Sequence, residues 1–180
     1  PLFIANKYVA LAATILIGIS FVLGSLARFV SARFVPYLPL RKPLGLWGFG
    51  LATLHAIMAL ILLSPAYYSR FFLPDGKLNL IGETSMLFGI LSFLVFGIVA
   101  LTSLPEIAKS MDPMKWKSVQ RLGYLAYVFV LLHVAIMGYK GWMNLESYQY
   151  GLISISLISA ITIVLVLLVR AVAGIFPRKQ

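Results

Sequence analysis

The chain holds 180 residues, 61% of them apolar, with 15 basic and 5 acidic side chains and no cysteine. A charged share of 11% is under half of the about 25% usual in soluble domains, which excludes an ordinary water-soluble globule. The lack of cysteine excludes disulfides, iron–sulfur clusters and thiolate sites, and the net charge of +10 lies beside long apolar runs, as in a membrane protein rather than a nucleic-acid binder.

Five uncharged stretches follow one another: Tyr8–Ala27, Pro43–Ser69, Thr84–Pro105, Leu122–Tyr139 and Ser147–Val169, of 20, 27, 22, 18 and 23 residues. A helix rising about 1.5 Å per residue needs about 20 residues to cross the hydrocarbon core, so each is expected to span a bilayer. The predicted spans are 6–28, 43–64, 82–104, 118–140 and 148–173. The second is expected to stop near Ser64 because Pro65 follows. The first exceeds the about 7–15 apolar residues of a signal-peptide core and reads as a true span. A start on Pro1 rather than methionine leads us to expect a missing upstream segment. The expected fold is an all-α integral membrane protein, one domain over residues 1–180.

Lysine and arginine set the expected orientation. Arg28, Arg33, Arg41, Lys42, Lys109, Lys115, Lys117, Arg121, Arg170, Arg178 and Lys179 fall on one side, and Lys7, Arg70, Lys77 and Lys140 on the other. Eleven against four places the N-terminus outside and the C-terminus inside. Asp75, Glu83, Glu106, Asp112 and Glu146 all lie in loops or at span boundaries. With no carboxylate inside a span, an ion-coupled transporter is disfavoured.

The only two histidines, His55 and His133, both lie inside spans. His55 is 12 residues beyond Pro43 and His133 is 12 beyond Arg121, on helices expected to run in the same direction. Both imidazoles therefore reach the same depth, about 18 Å from the inner boundary. Matched histidines on two helices suit the two axial positions of a haem iron. Gly45, Gly48, Ala52, Ala59, Gly82, Gly89, Gly97, Gly123 and Ala126 look like room for a flat macrocycle. The plainer alternative is that each histidine hydrogen-bonds a serine or threonine of a neighbouring helix. A zinc or copper site lacks the further ligands it needs. Lys42 and Gln120, each 13 residues before a histidine, are not usual haem ligands, so one haem b is expected rather than a stacked pair.

Three ordered segments carry a family resemblance: RKPLGLWGFGLATLHA (Arg41–Ala56), FGILSFLVFGIVALTSLP (Phe88–Pro105) and VQRLGYLAYVFVLLHVAIMGYKGW (Val119–Trp142). They resemble the ferric reductase-like transmembrane domain, most closely that of the STEAP metalloreductases. The resemblance implies a bundle around one haem with His55 and His133 as axial iron ligands. It implies electron flow from an inner-side flavin (FAD or FMN) or a partner protein to an outer acceptor such as a ferric chelate. It also suggests that Gln120 and Arg121 meet the flavin and Arg41 and Lys42 its phosphates, with Trp116 on the same side. Two family features are not seen: a sixth span, and the G-x-G-x-x-G of a nicotinamide domain. NADPH is therefore not expected to bind, and electrons would come from a separate protein, a missing region or a quinol.

On the outer side Tyr67, Tyr68, Arg70, Lys77, Lys140 and Trp142 form an expected rim, with Tyr68, Arg70 and Lys140 the candidate acceptor contacts. Aromatic and basic residues are also ordinary interfacial anchors. The competing function is a cytochrome b-like relay or structural subunit of a larger membrane redox complex. Membrane lipid, an electron donor and a larger complex or homo-oligomer are the expected partners, with no nucleic acid, in a bacterial inner membrane or an organelle membrane.

Overall fold

The structure, a computed structural model, describes residues 1–144 and 153–175. Glu146, Arg178, Lys179 and the expected start of the fifth span at 148 lie outside the described residues. The described chain is all-helical, with five helices long and apolar enough to cross a membrane. These are α1 (Leu2–Phe29), α2 (Arg41–Ile61), α4 (Leu80–Leu101), α6 (Pro113–Trp142) and α7 (Ile155–Ile175). Two short helices, α3 (Pro65–Tyr68) and α5 (Pro105–Ser110), lie in the connections.

Prolines and caps set the boundaries. Pro65, Pro105 and Pro113 each occupy a helix's first turn, where a missing N–H does no harm. The Asp112 carboxylate accepts from the backbone N–H groups of Met114 and Lys115 at 3.1 and 3.0 Å. That cap starts α6 at Pro113, five residues ahead of the expected boundary. Asn79 caps α4 in the same way, accepting from Gly82 at 3.0 Å. The α2 helix ends at Ile61, and Pro65 opens α3 instead of closing α2. Between α3 and α4, Gly76 takes a φ of 82°, a left-handed turn favouring glycine, and Phe72 bridges to Leu78.

Neighbouring helices pack closely as α1 with α2 and α4 with α6, while α7 lies against both α1 and α6. The α2–α4 contact is sparse by comparison. Cross-chain bonds show the alternating directions: Ser20, late in α1, meets Arg41 at the start of α2, and Ser85, early in α4, meets His133, late in α6. The buried core of Ile17, Phe96, Ala126, Tyr127, Ile163 and Val166 joins α1, α4, α6 and α7. The Tyr127 hydroxyl donates to the Thr14 carbonyl at 2.8 Å. Apolar side chains such as Trp47 and Leu80, 72% and 77% exposed, form the surface a bilayer would cover.

Candidate functional site

His55 lies on α2 and its Nδ1 is 2.7 Å from the Asn6 side-chain oxygen. Asn6 is the fifth residue of α1 and only 1% exposed. Burial raises the nearby Tyr68 phenol above the usual tyrosine value, and Asn6 offsets part of the rise. The hydroxyl is therefore neutral at physiological pH.

His133 lies on α6, and its Nδ1 is 2.8 Å from the Ser85 carbonyl oxygen and 3.1 Å from the Ser85 hydroxyl. That hydroxyl also donates to the His133 carbonyl at 3.3 Å. Ser85 is the sixth residue of α4 and 1% exposed. A Cβ on Gly89 would sit 3.1 Å from His133 Nδ1, so glycine there lets the ring lie against α4.

A carbonyl oxygen only accepts, so each Nδ1 carries the proton and each Nε2 keeps its lone pair. Among the described residues neither Nε2 has a hydrogen-bond partner and no buried polar side-chain atom is left unpartnered, so neither nitrogen is sealed away. The partners Asn6 and Ser85 stand one to two turns into helices that begin at the same end of the bundle. The two histidines thus share a depth.

Among the described residues no group of three or more His, Cys, Asp or Glu could hold a bare metal ion. Two neutral imidazoles with open Nε2 atoms are instead the donor set a porphyrin-bound iron requires, since the macrocycle supplies the remaining ligands. The residues present fit such a group.

The small residues expected to make room for a macrocycle mostly do something else. A Cβ on Gly48 would come within 2.6 Å of Ile17, on Gly45 within 3.3 Å of Ser20, and on Gly123 within 2.9 Å of Phe21. Gly82 lies as tightly on Phe71, and Ala126 is in the core. These positions let helix backbones approach, the usual role of small residues in membranes. Gly89 alone of the set meets an imidazole.

At the opposite end of the bundle from the N-terminus, side chains lock helices together. Gln120 Nε2 lies 3.2 Å from the Val99 carbonyl, 3.1 Å from the Thr102 hydroxyl and 3.2 Å from the Ser103 hydroxyl. Trp116 donates its indole N–H to the Thr102 carbonyl at 2.9 Å. Arg41 donates to the Ser20 carbonyl at 3.1 Å and accepts from the Ser20 hydroxyl at 2.7 Å. Lys42 and Arg121 are exposed. Of the expected flavin-side residues, Trp116 and Gln120 come together at the end of α4 while Arg41 sits against α1.

At the N-terminal end, Tyr68 meets Asn6, and Arg70 donates to the Met137 carbonyl at 3.3 Å, one turn beyond His133. Lys140 is exposed, and Lys77 pairs with Asp75 at 3.6 Å. Trp142 donates to Ser156 at 2.9 Å, joining α6 to α7. The sequence reading missed Asn6 and named no particular serine for His133. The available signal was a polar residue near the start of an apolar span in each case.

These features define a multi-pass membrane protein whose two histidines stand on different helices, each bonded to a buried residue of a neighbouring helix. Residues 9–131 match the family described as ferric reductase like transmembrane component, and the chain belongs to that family. It is also similar to metalloreductase STEAP2 of mouse and of human. Each is 27% identical over 176 residues, covering 83% of this chain. The chain spans about a third of those relatives' length, 36%. The family usually works with haem and other redox cofactors, and membership suggests transmembrane electron transfer.

Proposed function

We propose that the protein carries electrons across a bilayer, with His55 and His133 holding one b-type haem between α2 and α6. The observation that carries this reading is the pairing of both Nδ1 atoms with buried acceptors, which keeps both Nε2 lone pairs for iron. A bound haem would supply reversible one-electron chemistry at the iron. The chain's own residues do the rest: Asn6 and Ser85 orient the imidazoles, Gly89 leaves space for the His133 ring, and the apolar helices keep water away. Held by His55 and His133 together, a bound haem iron would have no site left for an acceptor, so its one-electron chemistry would be outer-sphere.

The eleven-to-four split of basic side chains supports an orientation with the N-terminus outside and the C-terminus inside. On the inner side, Trp116 and Gln120 are engaged with α4. An FAD or FMN donor would therefore be met mainly by the cations of Arg41, Lys42 and Arg121. On the outer side, Arg70 and Lys140 beside Tyr68 supply positive charge that would draw an anionic ferric chelate.

Reconstitution in liposomes tests the function. With reduced flavin enclosed on the inner side and ferric citrate outside, haem-loaded protein should produce external ferrous iron, and His133→Ala should not. Intact haem with no transfer to the chelate would instead make the chain a relay within a larger complex.

A further inference from the structure

We propose that Asn6 is the positioning residue that fixes both the aim and the tautomer of His55. This inference rests on the reading of His55 as an axial ligand. The two histidines are secured differently. His133 is held by a main-chain carbonyl on α4, whereas His55 depends on the side-chain oxygen of Asn6 on α1.

An amide has two unlike ends. If the Asn6 NH2 faced His55, Nδ1 would have to accept and the ring proton would move to Nε2, removing the lone pair a metal needs. The amide is instead turned with Oδ1 toward the ring, 2.7 Å from Nδ1 of His55. The Phe3 ring, one turn before Asn6 on α1, packs edge-on to Tyr68 at 5.3 Å, and Phe71 lies 6.4 Å away. At 1% exposure, Asn6 has no access to water that could take its place at His55, so this one amide sets the tautomer and aim of the ring.

Purified wild type, Asn6→Leu, Asn6→Asp and Tyr68→Phe should be compared for haem per chain, ferric electron paramagnetic resonance and midpoint potential. Asn6→Leu is expected to weaken haem binding by about 10–100-fold, the usual effect of losing a metal ligand's hydrogen-bond partner. Asn6→Asp keeps an acceptor, so it should keep haem. Its carboxylate makes the imidazole a stronger donor, so the potential should be more negative than wild type. Tyr68→Phe leaves the Asn6–His55 bond in place, so it should match wild type in haem content and resonance pattern. Should Asn6→Leu fail to fold, the Asn6→Asp potential decides. Wild type without haem overturns the reading of His55 itself. Wild type with haem, and Asn6 variants that match it in resonance and potential, overturns the role of Asn6 alone.

Discussion

Two helix pairs divide the site, α1 with α2 and α4 with α6. Each is closely packed, and each contains one histidine together with that histidine's partner. On one side α7 bridges the pairs. On the other, α2 and α4 touch only sparsely, which leaves a loosely packed seam between the pairs. Rigidity therefore lies within each pair. The joint between them is where a shared metal centre would add contacts the protein lacks. The pairs also differ: main chain fixes His133, while an exchangeable side chain fixes His55.

The largest expected effect strikes the α4–α6 pair. Gly89→Val should push the His133 ring away from α4 and abolish the low-spin haem spectrum while the helical circular dichroism persists. A wild-type spectrum would show that the ring does not need that space. Removing haem strikes only the seam. With haem at about a thousand times its dissociation constant, apo protein should be less stable by about 4 kcal/mol, measured by thermal unfolding in detergent. Equal stability of the two forms would mean that haem does not join the pairs.

Gly48→Val strikes the α1–α2 pair, where the added Cβ alone would come within 2.6 Å of Ile17. It should cost about 1–3 kcal/mol through overpacking and lower haem occupancy through His55. Unchanged unfolding would contradict close α1–α2 packing. Tyr127→Phe removes one buried hydrogen bond between α6 and α1. It should cost about 1 kcal/mol and leave the haem spectrum unaltered, and a spectral change would mean that the pairs are not separate units.

The five spans could be read from the sequence because a bilayer forces long uncharged helices, and charge gaps mark them directly. The matched depth of His55 and His133 was legible for the same reason, since helical rise converts residue offsets into distance. Their partners were not legible. Asn6 meets His55 across 49 residues and Ser85 meets His133 across 48, contacts fixed by which helices neighbour each other. Hydropathy does not encode that order. The glycines show the same limit: spacing placed Gly45, Gly48 and Gly123 on helix faces but could not say whether a cofactor or another helix would lie there. The early start of α6 is a different case, since the Asp112–Pro113 cap stands in the sequence and was outweighed by the charges that follow it.

A reduced-minus-oxidised difference spectrum of wild type beside His55→Ala and His133→Ala, with haem quantified per chain, tests the paired-imidazole centre most directly. One haem per chain with sharp low-spin b-type bands is expected in the wild type, and loss of those bands in each variant. Haem bands unchanged in either variant, or no haem in the wild type, would contradict it.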